Sequence, residues 1–197
     1  MPYVIGFLLK RPWQLFKLLR VIPVSLLFFV RLADHGKVKA ALIRATLGGA
    51  SRAELAAWTA HYVPLLIQRG TFADAIERIA AHRKAGDHLV LMSASPDLYV
   101  PDIARELGFD EAVCTGVLWR GDRLDGALTT RNRRGTEKTR CFEELRQRYA
   151  GLESVAYANG PGDIDHMKLV DRPLLVNGPP WARKAAALAG IPCAIWR

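Results

Sequence analysis

From residue 86 onward, short apolar runs alternate with segments of helical spacing, and this alternation constrains the fold more than any other feature of the sequence. The apolar runs predict strands at residues 89–92, 112–115, 154–158, 174–176 and 193–196. A Gly/Asp-rich hairpin is predicted at 116–131, and helices at 96–107, 136–150 and 180–189. Strands that alternate with helices predict an α/β fold, with helices on both faces of a parallel sheet. Ligands of such sheets bind at the carboxyl ends of the strands.

Residues 1–70 differ in texture and are predicted to form a helical cap, with residues 71–197 as the α/β core. The first 68 residues are expected to be wholly helical, and the expected breaks are Pro23, Gly36, Gly48-Gly49 and Pro64.

Local capping signals predict where two helices begin and end. Ser51 and Glu54 form a capping box, in which each side chain accepts a hydrogen bond from the other residue's amide. A second, amphipathic helix is predicted to be capped by Thr71 and closed by Gly86.

The positive charge of the chain is concentrated near its amino terminus. The formal net charge is +9, and residues 1–44 hold eight basic residues against one acid, Asp34. Two apolar runs, 3–9 and 21–30, lie among these charges, and both are shorter than the about 20 residues that span a bilayer. Either this region is a cap that packs on its own domain, or residues 3–44 contact an anionic membrane peripherally. The basic residues are Lys10, Arg11, Lys17, Arg20, Arg31, Lys37, Lys39 and Arg44.

Cysteine usage indicates the cellular compartment. Cys114, Cys141 and Cys193 are widely spaced and match no metal-ligand spacing, so we interpret them as small buried hydrophobic residues in a reducing environment. We therefore expect a cytoplasmic protein, with peripheral association at the inner face of the membrane as the refinement. Nucleic-acid binding is not expected, because the basic residues are interleaved with Leu and Phe. The sequence makes no prediction of the oligomeric state.

A hydroxyl lies at the end of the first predicted strand, in Leu91-Met-Ser-Ala-Ser95. Pro96 follows, where a helix can begin with exposed amides, and such amides favour an anion beside Ser93. The alternative is that Ser93 or Ser95 is an ordinary helix cap.

Lys138 is predicted to lie in the first turn of the helix that follows Gly135. A cation is unfavourable at that end of a helix, so its placement predicts an anionic partner such as a phosphate or a carboxylate. A solvent-facing lysine is the alternative.

The loop Asn159-Gly-Pro-Gly-Asp-Ile-Asp165 follows a predicted strand and offers oxygen ligands from Asn159, Asp163 and Asp165. Such oxygens suit Mg²⁺, a hard cation that also bridges to phosphate, while an ordinary turn is the alternative. The five histidines show no metal-ligand pairing, and we interpret each as structural or solvated.

Together, in this order, the three segments resemble the haloacid dehalogenase-like superfamily and its phosphoserine phosphatase-like branch, from about residue 70 onward. The resemblance implies a Rossmann-like sheet with a helical cap, and a phosphomonoester phosphatase that acts through an aspartyl-phosphate with Mg²⁺ as cofactor. It also implies residue roles: phosphate binding by Ser93, Ala94, Ser95 and Lys138, catalysis by Lys138, and metal binding by Asn159 and Asp163.

Two departures from the family pattern bear on activity. The family has Asp where Asn159 stands, and because an amide carries no charge the metal is expected to bind more weakly. No Asp-x-Asp stretch follows a strand near the amino terminus, since the first acid is Asp34. The chain as given is therefore expected to be inactive. We expect Met1 to be an internal methionine of a protein about 15–25 residues longer, which includes the family's central strand.

Two substrates and two functions remain as alternatives. The resemblance implies a small phosphate ester such as phosphoserine, whereas the apolar, basic region 3–44 favours a phospholipid head-group phosphate. The alternative function is a non-catalytic phosphate-binding or membrane-surface protein that has kept the fold and lost its nucleophile.

Overall fold

The computed structural model describes residues 2–10 and 12–197, so Met1 and Arg11, two residues named above, lie outside the described residues. The chain divides into two compact units. The first holds the residues up to Gly70 together with Ser95–Glu106 and Cys114–Asn132, and the second holds Thr71–Ala94, Leu107–Val113 and Arg133–Arg197. The first unit contains the first 70 residues, but it also contains two segments from the predicted core. The division into a cap and a core at residue 70 stays a prediction.

The helices occupy most of the amino-terminal third and then alternate with strands. They are α1 (Pro2–Leu9), a 3₁₀ helix (Pro12–Val21), α2 (Ile22–Phe29), α3 (His35–Leu47), α4 (Arg52–Gly70), α5 (Ala73–Ala85), α6 (Val100–Leu107), α7 (Thr136–Arg148), a second 3₁₀ helix (Pro161–Asp163), α8 (Ile164–Met167) and α9 (Pro180–Leu188).

The strands formed by the described residues fall into three sheets and confirm the α/β class. They are β1 (Val90–Pro96), β2 (Glu111–Thr115), β3 (Val117–Arg120), β4 (Arg123–Leu128), β5 (Val155–Ala158), β6 (Arg172–Val176) and β7 (Cys193–Ala194). β1 pairs with β2 in a two-stranded sheet. β3 and β4 form an antiparallel hairpin, and β5, β6 and β7 form a parallel sheet.

Tyr3 is a centre of packing in the first unit. Its fully buried ring stacks on Tyr99 with centroids 4.5 Å apart and meets the edge of Tyr62 at 5.1 Å. Its hydroxyl lies 2.8 Å from Thr59 Oγ1, and Trp58 Nε1 donates to the Tyr3 carbonyl at 3.1 Å. Burial raises the pKa of Tyr3 to about 12. The apolar run of α1 thus belongs to the core of its own unit.

The hairpin is held to α3 by a close backbone approach and by an ion cluster. Gly126 has a φ of +88°, and a Cβ there would lie 2.8 Å from the Arg44 backbone, so glycine is required. Asp125 accepts from Arg120 at 2.7 Å and from Arg44 at 2.8 Å. Those two guanidinium groups, Arg120 foremost, hold the pKa of Asp125 well below its usual range.

The predicted helix starts and stops are partly confirmed. The capping box is present, since the Ser51 amide donates to Glu54 Oε2 at 2.8 Å and the Glu54 amide donates to Ser51 Oγ at 3.2 Å. Gly86 closes α5 in the left-handed conformation, with a φ of +81°. The prediction that Thr71 caps α5 is wrong, because the N-cap is Phe72, which makes no side-chain capping bond.

Gly48-Gly49 ends α3, and Pro23 and Gly36 each lie one residue after the start of a helix, so these three predicted breaks coincide with helix boundaries, whereas the break predicted at Pro64 is wrong. Pro23 lies in the first turn of α2, where its missing N–H has no helical partner to lose. Gly36 lies in the first turn of α3, which Asp34 caps by accepting from the Lys37 amide at 2.8 Å. Pro64 lies inside α4, whose buried face outweighs the one lost backbone bond.

The second unit has its core beneath the parallel sheet. β5 and β6 pair from Val155–Arg172 to Ala158–Leu175, and β7 extends the sheet beside β6. Buried apolar side chains from α8, β6, α9 and the segment before β7 pack together there: Ile164, Met167, Leu175, Ala182, Ala186 and Ile191.

The cysteine prediction is only partly confirmed. Cys141 is buried and Cys114 is half-buried, as expected of small hydrophobic residues. Cys193 is exposed, because it lies in the two-residue strand β7 rather than within a covered strand.

The capping box provides a test of the α4 start. We expect Ser51→Ala to lower the free energy of unfolding by about 1 kcal/mol, because the Glu54 amide loses its acceptor. Ser51→Thr keeps the hydroxyl and is the matched control. Urea denaturation of the three proteins checks this, and equal stability of the alanine variant would show that the box does not hold the helix start.

Candidate active site

An ion pair joins the first turn of α7 to the turn after β5. The Lys138 ammonium donates to Asp163 Oδ1 at 2.5 Å, and the two side chains are only 15% and 14% exposed. Lys138 is set by the start of α7, where its amide donates to the Gly135 carbonyl at 2.8 Å. The anionic partner that the position of Lys138 calls for is therefore the Asp163 carboxylate.

Asp163 is set in turn by the short 3₁₀ helix that follows β5. Its amide donates to the Gly160 carbonyl at 3.1 Å, which closes the turn. A Cβ at Gly160 would lie 3.0 Å from Asp163 Oδ2, so a side chain there would press against the carboxylate. The glycine lets the turn bring Asp163 back toward the strand end.

Two arginines surround the residue beside Lys138. The buried Glu137 accepts from Arg140 at 2.7 and 3.1 Å and from Arg133 at 2.5 Å. The hydrogen bond from Arg140 is the main reason that the pKa of Glu137 is lowered, and Arg133 adds to it. The sequence analysis missed this cluster, although the spacing 137/140 is that of an ion pair on one helix face; Arg133 lies before the start of α7.

His166 lies in α8, close to the ion pair, and was interpreted only as structural or solvated. The residue is buried, and its Nδ1 has no hydrogen-bond partner among the described residues. Burial lowers the pKa of His166, and the charge of Lys138 lowers it further, while Asp163 opposes the shift. Both effects favour the neutral imidazole of His166 over its charged form.

The predicted phosphate-binding segment is divided between the two units. Ser93 and Ala94 are half-buried in β1 and belong to the second unit, as Lys138 and Asp163 do. Ser95 belongs to the first unit, where its side chain makes a hydrogen bond with Tyr99.

The predicted helix start at Pro96 is wrong. β1 continues through Pro96, and the Asp97 amide donates to the Thr115 carbonyl at 2.9 Å. α6 begins only at Val100, because the partner strand β2 offers that carbonyl and prolongs the extended backbone. The helix N-terminus that was expected to expose its amides immediately after Ser95 therefore does not lie there.

Asn159 is exposed directly after β5, at the same turn as Asp163. Both side chains offer oxygen, the donor that Mg²⁺ prefers, but together they bring only one charge. No group of three or more His, Cys, Asp or Glu residues able to hold a metal is found among the described residues. The described side chains thus match the chemistry of a Mg²⁺ site and supply only part of its ligands.

A pocket of about 590 Å³ lies within the first unit, on α4 and the segment after β1. Its charged lining includes Arg52, Asp97, Asp102 and Arg105. None of the residues predicted to bind phosphate or metal lines it.

The chain belongs to the haloacid dehalogenase-like hydrolase family, whose family model matches residues 1–168. The resemblance inferred from the three motifs is thereby confirmed. Protein CicA from Caulobacter vibrioides (strain NA1000 / CB15N) is 32% identical over 161 residues, which are 79% of this chain and 70% of that protein. A probable phosphatase from Mycobacterium tuberculosis (strain H37Rv) is 30% identical over 123 residues, 61% of this chain and 42% of that protein.

Solved structures share the fold at lower identity. A Bordetella pertussis Tohama I protein of unknown function has a TM-score of 0.74 at 21% identity, over 87% of this chain and 78% of that chain. A probable phosphoserine phosphatase from Vibrio cholerae has a TM-score of 0.68 at 15% identity, over 84% of this chain and 50% of that chain. These likenesses show the fold alone.

The Glu137 cluster generates a test of what holds the start of α7. We expect Glu137→Gln to lower the free energy of unfolding by about 2 kcal/mol, because Arg133 and Arg140 lose their carboxylate. The pKa of Glu137 is lower folded than unfolded, so this stabilisation is complete above the ordinary value of 4.5 and is lost as the pH falls through the folded pKa.

Urea denaturation near neutral pH and below about pH 4 measures both effects. The difference between the variant and the parent is expected to shrink in acid. Glu144→Gln removes the exposed carboxylate that also pairs with Arg140 and is the matched control, with an expected change of at most about 0.5 kcal/mol. A Glu137 variant as stable as this control would contradict the assignment.

Proposed function

We propose that the protein is a phosphomonoester phosphatase of its family that acts through an aspartyl-phosphate. The Lys138–Asp163 ion pair is the observation that carries the proposal, because it supports a largely buried cation at the position of the family's phosphate-binding lysine. The similarity to a probable phosphatase supports the same reaction class.

Lys138 binds the transferring phosphoryl group and stabilises the charge on its oxygens. An ammonium group carries three N–H donors, of which Asp163 uses one. Stabilisation of charge on the phosphoryl oxygens is the main source of catalysis in phosphoryl transfer. The assignment of Ser93, Ala94 and Ser95 to the same group rests on the resemblance alone.

Asn159 and Asp163 would hold Mg²⁺, together with water and the phosphate itself. When bound, the cation neutralises part of the phosphate charge and so makes the phosphorus more open to attack. The protein residues at this position orient the ion through one carboxylate and one amide. We therefore propose weaker magnesium binding than two carboxylates would give.

The reaction requires an aspartate at a strand end as nucleophile. Its carboxylate oxygen forms a bond to phosphorus while the ester oxygen leaves with the bonding electrons and takes a proton; water then cleaves the acyl phosphate and releases inorganic phosphate. Asp34, the first acid of the sequence, cannot serve, because it caps α3 by accepting from the Lys37 amide.

The separation of β1 and β5 into different sheets supports the proposal that the nucleophile lies on an additional strand. β1 and β5, which carry the second and fourth motifs, belong to separate sheets in the part of the chain that the structure describes. The family's central strand, which bears the nucleophile, would lie between them. We propose that residues 1–197 alone are catalytically inactive for this reason.

The substrate is a small phosphate ester such as phosphoserine, or a phospholipid head-group phosphate. Both present the same terminal phosphate to Lys138. Hydrolysis of phosphoserine and of a phospholipid phosphate in micelles, compared on one catalytically complete form, distinguishes them.

Phosphate binding tests the proposal on the chain as it stands. We expect Lys138→Ala to weaken the binding of inorganic phosphate, measured by calorimetry, by about 10-fold or more, because a charge-assisted hydrogen bond is lost. Lys138→Arg keeps the charge and is expected to recover part of the affinity. Lys168→Ala, which removes a nearby lysine paired with the exposed Asp165, is the matched control. An equal loss of phosphate affinity in both alanine variants would show that Lys138 does not bind the phosphate.

A second candidate is a non-catalytic phosphate-binding protein, and the neutral Asn159 favours it. Turnover separates the two candidates. A form extended by its own in-frame upstream codons hydrolyses p-nitrophenyl phosphate if the phosphatase proposal holds. If that extended form binds phosphate without hydrolysing the substrate, the non-catalytic phosphate-binding function is supported instead.

Asn159 also provides a test of the metal assignment. We expect Asn159→Asp to raise the affinity for Mg²⁺ by about 10-fold, because a second carboxylate joins Asp163. Gln147→Glu adds a carboxylate on the exposed side of α7 and is the matched control for net charge. Calorimetric titration with MgCl₂ measures both, and equal affinities in the two variants would show that position 159 is not a ligand.

A further inference from the structure

The first unit carries an apolar surface that its own core does not cover. Of the 18 large hydrophobic side chains that are exposed among the described residues, 11 lie in residues 5–32. Exposed apolar side chains on a soluble protein are normally scattered singly, whereas a concentration of them marks an interaction surface. Six of these side chains, each 60–81% exposed, define what we call the N-terminal apolar surface: Phe16, Leu19, Leu26, Phe29, Val30 and Leu32.

α2 is the element that most requires apolar surroundings. Its eight residues include no charged side chain, and none of them is buried. A helix this short is not stable by itself in water, and a helix that is apolar all round is normally covered. No helix formed by the described residues is both long and apolar enough to cross a bilayer. The surface therefore suits an apolar environment that it enters without spanning.

The charges around this surface identify its occupant. The basic side chains Lys10, Arg20, Arg31 and Lys37 are exposed, and the one acid of residues 1–44, Asp34, caps α3. A second copy of the chain would present the same positive charges, which oppose self-association. A bilayer with anionic lipids offers both the apolar interior and the negative charge.

We propose that the 3₁₀ helix Pro12–Val21 and α2 dock peripherally on membranes that contain anionic lipids. Side chains of the N-terminal apolar surface enter the region between head groups and acyl chains, and Arg20 and Arg31 bind lipid phosphates. The docking does not depend on the phosphatase reaction, so residues 1–197 are sufficient for it.

Co-sedimentation with vesicles tests the proposal on the chain as it stands. We expect binding to vesicles of phosphatidylcholine with phosphatidylglycerol, much weaker binding to phosphatidylcholine alone, and a loss of binding as salt screens the charges. Arg20→Gln and Arg31→Gln are each expected to weaken binding about fivefold. Phe29→Asp is expected to weaken it at least about 10-fold, because it places a charge in the apolar layer.

Matched controls come from the second unit. Leu188→Asp changes a side chain that is 83% exposed on α9, and Lys184→Gln removes an exposed charge from the same helix. Both are expected to bind like the parent. Because Phe29 is exposed, its variant is expected to keep the parent's circular dichroism, and Leu26→Glu repeats the test at a second position.

Three outcomes would overturn the proposal. Equal binding to neutral and anionic vesicles would show that the basic side chains do not bind lipid phosphates. Unchanged binding of both Phe29→Asp and Leu26→Glu would show that the apolar side chains do not enter the bilayer. A dimer in solution without vesicles, dissociated by Phe29→Asp, would assign the surface to a second copy of the chain. None of these results bears on phosphate binding by Lys138, which is measured separately.

Discussion

The site depends on the pairing of two charges that neither α7 nor the turn after β5 would tolerate alone. Lys138 and Asp163 are each about 85% buried, and an isolated buried charge costs several kcal/mol. Their ion pair offsets this cost and joins the two elements that carry the third and fourth motifs. Lys138 also opposes the dipole of α7, so the carboxylate at 2.5 Å stabilises a position that helix formation disfavours. His166 is buried near this pair, and the charge of Lys138 lowers its pKa further than burial alone does.

Local signals predicted part of the local structure, with the cap expected at Thr71 as an exception, and the anionic partner of Lys138 followed from helix electrostatics alone. The capping box at Ser51 and the left-handed Gly86 depend only on neighbouring residues, so the sequence predicts them. The failures at Pro64 and after Ser95 have a tertiary cause: the buried face of α4 carries its helix past a proline, and the Thr115 carbonyl prolongs β1. The sequence did not predict that this partner is Asp163 rather than a phosphate, because the turn at Gly160 is what brings Asp163 to Lys138.

The two apolar runs near the amino terminus show what composition cannot decide. Both runs resemble core helices, yet only α1 is buried, because Tyr3 gives it a specific place among Trp58, Tyr62 and Tyr99. α2 has no aromatic hydroxyl, and none of its side chains is buried. Periodicity cannot separate these cases, since the burial of α1 depends on residues more than 50 positions away.

The positive charge of the chain therefore acts at two ranges. Lys138 is paired with Asp163, so its effect is largely confined to atoms in direct contact. The exposed basic residues near the amino terminus have almost no acids beside them, and their field extends to about a Debye length, about 8–10 Å at physiological salt. In the functions proposed above, a membrane surface responds to the second field, whereas a phosphate ester responds to the first. Loss of the exposed arginines should thus alter where the protein resides without altering how tightly a phosphate binds.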